Sequence, residues 1–271
     1  MAILVIKVPG INGFGKTKGC ERAGNAIIEE LNGVYTNEQG KIVNVESLDL
    51  EEIHLNNNDL ELSNKLIYEN AFESYDKEKV IFLGGDHSIS YSTTRAFLDY
   101  CQSQNPIRDS CLIVFDAHPD LMPSMKEPTH EEWLRKLIDD GFNPRNILLV
   151  GIRNSDKKEL EFIEEKGIRM ISIDSLLLSI EDICDSIMEF ADKKELYVSL
   201  DIDVVDPSFA PSTGYREVGG LTSRQMIYLI QRLNKVKTLR AVDLVEINSE
   251  RDKEKGNITV KLGAKILGEL L

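Results

Sequence analysis

Residues Cys111-Leu112-Ile113-Val114-Phe115-Asp116-Ala117-His118-Pro119-Asp120 run from five apolar side chains into acid, imidazole and acid at every second position. A short apolar run of this kind reads as a buried strand. Strand side chains alternate between faces, so Asp116, His118 and Asp120 can point the same way at its polar end. Two carboxylates and an imidazole converging there cost more in desolvation than packing returns, unless a positive charge sits among them. A metal ion is the simplest such charge.

Outward from this stretch the chain repeats the same design. Val80-Ile81-Phe82-Leu83 is a second short apolar run, closed by Gly84-Gly85-Asp86-His87-Ser88. Residues 2–8, 147–150, 169–173, 196–202 and 238–244 also read as strands, and 41–48 alternates like one. Helical spacing marks 20–31, 58–75, 90–101, 133–138, 156–165, 180–191, 222–233 and 258–270, with Thr222 or Ser223 as an N-cap. Strands alternating with helices predict an α/β fold, a three-layer α/β/α sandwich on a mostly parallel sheet. With no linker and no repeat, residues 1–271 are expected to form one domain. In such sheets ligands bind beyond the carboxyl ends of the strands. The unusual polar residues fall there, after Leu83, Phe115, Leu200 and Leu244.

Composition narrows the class. An apolar fraction of 42% supports a sizeable core, and a net charge of −14 argues against nucleic acid or an anionic membrane as partner. Part of that charge is a solvated surface, as at 61–78 and 250–255. The same sign suits metals or a cationic ligand. The apolar run at 2–6 is too short for a signal core, and no segment approaches membrane-spanning length. Cys20, Cys101, Cys111 and Cys184 stand far apart, as small core residues do in a reducing compartment. A cytoplasmic protein is expected.

A second acid pair with period two, Asp201-Ile202-Asp203, ends the run Leu196 to Leu200, and Asp206-Pro207 then turns the chain. Of four histidines, His87 and His118 sit at strand ends beside acids, and His130 lies in the loop after the central motif. Two imidazoles and four carboxylates exceed what one tetrahedral zinc takes. The oxygen-rich set suits two Mn²⁺ ions with some carboxylates bridging. A water shared by such ions loses a proton at a pKa as low as about 7. Metal-assisted hydrolysis is the chemistry expected.

GGDHS at 84–88, DAHPD at 116–120, SLDIDVVDPSFAPSTG at 199–214 and GGLT at 219–222 resemble the ureohydrolase family, which contains arginase, agmatinase, formiminoglutamase and guanidino-acid hydrolases. The motifs occur in the family's order and, through the strand pattern, the likeness covers most of the chain. The resemblance implies an arginase-like fold and a binuclear manganese site. One ion would be held by His87, Asp116, Asp120 and Asp201, and the other by Asp116, His118, Asp201 and Asp203, with Asp116 and Asp201 bridging. It also implies a metal-bridging hydroxide that attacks a linear guanidino or amidino carbon, with urea as the expected product. His130 would carry a proton to the leaving amine, and Glu246 would pair with the guanidinium. Asp156 and Glu159 would meet the substrate's amino group. The partner would be a small cationic guanidino compound, and the assembly a homo-oligomer, a trimer or hexamer.

The chain departs from the family at the substrate pocket. The loop from Asp120 to His130 is short and lacks the Asn and Ser that hold a substrate carboxylate in arginases. Tyr215-Arg216 stands where Thr-Pro is usual. The resemblance therefore implies the reaction class, and leaves arginine, agmatine, another guanidino compound or a formiminoglutamate-type amidine open.

Plainer readings stand beside these. His87 and His118 could be hydrogen-bonded core histidines, Asp201 and Asp203 turn residues, and Glu246 a surface acid. His54 reads as a surface residue. Thr129-His130-Glu131-Glu132 also looks like a helix start, and Asp156 and Glu159 suit a helix N-terminus. Gly10-Ile11-Asn12-Gly13-Phe14-Gly15-Lys16-Thr17 fits the phosphate-loop pattern after a strand, which makes a P-loop NTPase the rival enzyme class. A binding module on the same fold is the non-enzymatic alternative.

Overall fold

The apolar run at 111–115 lies in β4 (Ser110–Phe115), where Cys111, Ile113 and Phe115 face one layer of core and Leu112 and Val114 the other. Burying each such side chain stabilises by roughly 1.5–3 kcal/mol. A register slip would exchange the two faces, so the position of Asp116 at the strand end is fixed by packing. Seven further strands repeat the arrangement: β1 (Ile3–Val8), β2 (Asp49–Glu52), β3 (Lys79–Gly84), β5 (Ile147–Ile152), β6 (Arg169–Ser172), β7 (Glu195–Asp201) and β8 (Leu239–Val245). They form one sheet in the order β2-β1-β3-β8-β7-β4-β5-β6. Every pairing is parallel, where the sequence predicts a mostly parallel sheet. This computed structural model describes residues 3–106 and 109–271, so Ala2 of the expected first strand lies outside the described residues.

Parallel strands need crossovers, and helices supply them on both faces. On one face lie α1 (Ala23–Leu31), α6 (Ile173–Leu178), α7 (Ile180–Phe190), α8 (Ser223–Leu233) and α10 (Ile258–Leu270). On the other lie α2 (Leu60–Ser74), α3 (Ile89–Gln104), α4 (Trp133–Asp139) and α5 (Lys157–Lys166). The short α9 (Ser249–Asp252) follows β8. Thr222 is the N-cap of α8 and forms a capping box with Gln225. All four cysteines are buried. Among the described residues, no helix is long and apolar enough to cross a membrane.

Two expectations are corrected at the sheet margins. Residues 41–48 form no strand of the sheet: Ile42 makes an isolated antiparallel bridge to Thr36 and is exposed. The edge strand is the next four residues, β2, whose side chains are all exposed. An edge strand whose side chains stay in solvent leaves no apolar alternation in the sequence, whereas Val43 and Val45 pack partly against the core and imitate one. The strand expected over 169–173 stops at Ser172, whose hydroxyl accepts from Ser175 N and opens α6.

The connection after α1 is pinned by Glu38, which accepts from Arg224 Nη1 at 2.7 Å and Nη2 at 2.9 Å, and from Gln231 Nε2 at 2.9 Å. Hydrogen bonds from Arg224 and then Gln231 hold its carboxyl down to about 2 from an ordinary 4.5. A depressed carboxyl adds stability that is present above its unfolded value and lost as pH falls through the folded one. The stability gap between the wild type and Glu38→Gln should therefore close as pH falls from about 4.5 to about 2. Urea midpoints across that window check it, and a constant gap would contradict it.

Candidate metal centre

The carboxyl ends of β3, β8, β7 and β4 lie side by side in the sheet. After β3, Gly85 leaves no room for a side chain, since a Cβ there would stand 1.9 Å from the Gly10 carbonyl oxygen. This crossing feeds directly into Asp86 and His87. Asp86 is fully buried and anchors the crossing loop, accepting from Asn12 N and Thr17 Oγ1, each at 2.7 Å. The phosphate-loop reading of residues 10–17 fails at this point. Residues 14–19 make turns, so no helix N-terminus presents its N–H groups there, and the Thr17 hydroxyl is spent on Asp86.

His87 Nδ1 lies 2.9 Å from Asp120 Oδ2, 3.1 Å from Asp116 Oδ2 and 3.3 Å from Asp201 Oδ2. His118 Nδ1 lies 3.0 Å from Asp203 Oδ2 and 3.5 Å from Asp116 Oδ1. Two groups that could hold a metal ion result: His87, Asp116 and Asp201, and Asp116, His118 and Asp203. Asp116 belongs to both. Asp120 borders the first group, its backbone in the left-handed region at φ 54° and its Oδ2 accepting from Trp133 Nε1 at 2.8 Å. Backbone amides aim the other acids, with His118 N donating to Asp116, Ala117 N to Asp203 and Asp203 N to Asp201.

A chain of buried hydroxyls orients His87. Ser199 Oγ donates to Asp243 Oδ1 at 2.7 Å, which leaves its oxygen to accept from His87 Nε2 at 2.8 Å. The Nε2 proton is thus committed to Ser199, and Nδ1 is the nitrogen turned to the acids. Asp243 also accepts from Ser90 Oγ at 2.7 Å and Tyr197 OH at 2.8 Å.

The charges depend on one another. Burial opposes the His87 and His118 cations, yet the carboxylates beside them raise both well above the ordinary imidazole range. Burial and then Asp116 push Asp120 up to about 7, and burial with Asp203 and Asp116 drives Asp201 well above the usual carboxylate range. Acids crowded this closely suit positive ions in their midst. Two buried atoms point the same way: His87 Nδ1 and Asp116 Oδ2 face each other at 3.1 Å, yet neither makes a hydrogen bond of good geometry. Such atoms cost about 1–3 kcal/mol each unless something binds them. Imidazole with several carboxylates is a donor set that a divalent manganese ion accepts.

A cavity of about 240 Å³ opens on the cluster, with His118, Asp120, His130, Tyr215 and Glu217 among its walls. His130 is buried and its Nε2 has no hydrogen-bond partner. It stacks on Tyr215 with ring centroids 5.3 Å apart, and its Nδ1 lies 3.7 Å from Glu246 Oε1. Burial lowers the His130 pKa, and burial followed by the Asp86 charge raises that of Glu246. Glu246 accepts from His87 N at 3.0 Å and is itself buried. Asp156 and Glu159 reach the same cavity while forming the capping box of α5. Both Glu159 oxygens are occupied there, one by Asp156 N at 2.8 Å and the other by Leu121 N at 2.9 Å. The helix-start reading of this pair is thus met by its hydrogen bonds.

The sequence pattern of the arginase family matches residues 1–271. The chain belongs to the arginase family. Members are hydrolases acting on linear amidines, and arginase-family relatives bracket this one. It is 28% identical to an arginase of Staphylococcus aureus over 261 residues, which is 87% of this chain and 84% of that one. It is 32% identical to proclavaminate amidinohydrolase of Streptomyces clavuligerus over 197 residues, 70% of this chain and 60% of that enzyme. A solved structure of the Streptomyces enzyme superposes with a TM-score of 0.84 at 26% identity, covering 99% of this chain and 90% of that one.

Several residues of this arginase-family site escape a motif reading. Asp243 lies inside the apolar run of β8, where an acid costs too much to stand alone. That is the signal that could have found it. Tyr197 and Ser199 share the period-two face of Asp201, so β7 announced the same network. Glu217 and Glu131 line the cavity from loops and carry no such mark.

Proposed function

We propose that this arginase-family hydrolase holds two Mn²⁺ ions and cleaves a guanidino C–N bond, releasing urea and an amine. The observation that carries the reading is the pair of His/Asp groups sharing Asp116 beside a cavity walled by His130. His87, Asp116, Asp120 and Asp201 would hold one ion, and Asp116, His118, Asp201 and Asp203 the other. Bound there, the metals would supply an activated water for attack on a trigonal carbon. Glu246 would take the guanidinium through charge-assisted hydrogen bonds, in reach of His130. His130, with an unpartnered Nε2, would deliver a proton to the leaving amine. Its burial and its stacking on Tyr215 would exclude competing water from that transfer.

The test is urea release by Mn²⁺-loaded protein across a panel of guanidino compounds, before and after chelation. Urea from at least one member, lost on chelation and restored by Mn²⁺, is the expected result. Metal-loaded protein that releases neither urea nor another C–N cleavage product from any linear guanidine or amidine would overturn the reading.

A further inference from the structure

The cavity beside the metal centre is lined by acids beyond those of the metal groups, with no Lys or Arg among its walls. Glu217 accepts from Asn154 Nδ2 at 2.8 Å and stands 3.4 Å from His118 Nε2. Glu131 accepts from the Tyr215 hydroxyl at 3.3 Å and stands 3.8 Å from His130 Nε2. Neither carboxylate pairs with a Lys or Arg side chain among the described residues. Lys16 lies nearby, but its ammonium sits over the Tyr215 ring, 4.8 Å from the centroid. Arg153, also close, donates to the backbone carbonyls of Glu217 and Val218 and so shapes the loop without pairing with the Glu217 carboxylate. Partly buried acids with no direct ion pair to a Lys or Arg disfavour an entering carboxylate and favour an ammonium group. A second observation marks the same cavity as a ligand site: His130 Nε2, on a residue only 5% exposed, has no hydrogen-bond partner.

We infer that this pocket selects guanidino compounds whose far end is an amine without a carboxylate, received by Glu217 and Glu131. The inference rests on the hydrolase reading above and deepens it, naming the substrate class. Arginine-like substrates carry the carboxylate that these acids disfavour, and no Lys or Arg stands among the cavity walls to receive it. Specificity then comes as much from repulsion as from attraction.

The experiment compares kcat/KM of the Mn²⁺-loaded chain for 4-aminobutylguanidine, butylguanidine, 4-guanidinobutanoate and arginine. The amine-terminated compound is expected to lead, butylguanidine to follow, and 4-guanidinobutanoate to come last. Glu217→Gln should lower the ratio of the first two by about tenfold, as loss of a hydrogen bond between charged groups does. A variant that merely disturbed His118 would slow both compounds alike and leave the ratio unchanged, which would overturn the role of Glu217. Faster hydrolysis of 4-guanidinobutanoate or arginine would overturn the selectivity while leaving the hydrolase reading in place. Calorimetry with butane-1,4-diamine and 4-aminobutanoate separates the two failures. If nothing is hydrolysed but the diamine binds more tightly, and Glu217→Gln removes the preference, the selectivity stands and the hydrolase reading falls. If nothing is hydrolysed and no preference exists, both fall.

Discussion

Asp116→Ala should lose both metal ions, and with them at least about 10³-fold in kcat/KM on any guanidino substrate. Asp116 belongs to both three-residue groups, with Oδ2 beside His87 and Oδ1 beside His118, and in the proposed ligand set only Asp201 is shared besides it. Its removal leaves each group one carboxylate short and takes away the acceptor for His118 N. Asp203 belongs to the second group alone, so Asp203→Ala should keep an ion at the first and lose one at the second. Metal content after dialysis, measured beside urea release, separates the pair. Two tightly held ions in Asp116→Ala would refute the shared-ligand assignment, whatever its activity.

The second large effect is expected away from the ligands. Asp243→Ala strips the acceptor from the hydroxyls of Ser90, Tyr197 and Ser199 in one step. All three are fully buried, but the Tyr197 hydroxyl can turn to Thr93 Oγ1 at 2.8 Å and Ser199 to His87 Nε2, which leaves Ser90 as the orphaned donor. At about 1–3 kcal/mol for that donor plus the two weakened bonds, a loss of about 2–4 kcal/mol is expected. The Ser199 proton also loses its destination. Ser199 can then donate to His87 Nε2, which favours a proton on Nδ1, the nitrogen that faces the acids. Metal affinity should fall by about 10–100-fold, as when the outer partner of a ligating histidine is removed. Urea denaturation reads the first effect and metal titration of the folded protein the second. Ser199→Ala should show the affinity loss with a smaller stability loss. A stable Asp243→Ala variant with unchanged metal affinity would dismiss the orienting role.

The centre of this molecule is legible in its sequence because both faces of the central strands are buried. Val80 to Leu83 and Cys111 to Phe115 must be apolar throughout, and the acids that interrupt such runs have no packing reason to be there. The interruptions mark the site. The margins give no comparable signal. Asp49 to Glu52 make a strand by backbone pairing and one ion pair, Glu52 with Lys7, and four solvated side chains carry no apolar pattern that records it. Residues 41–48 show the opposite error, apolar side chains that touch the core from a connecting loop. Glu217 illustrates a third limit. On a chain with a net charge of −14 one more acid is unremarkable, and only the fold brings it within 3.4 Å of His118 Nε2.

The position of β8 bears on how the chain is made. β1 to β3 pair among themselves, β4 to β7 pair among themselves, and β3 and β7 meet only through β8, residues 239–245. Without that segment the remaining pairings are those of two separate half-sheets, each with an unpaired edge of the kind that invites aggregation. His87 rides on one half and the aspartates on the other. β8 is the strand that joins them, so a complete ligand set requires both halves to be paired through it, and metal binding is expected to stabilise the joined sheet.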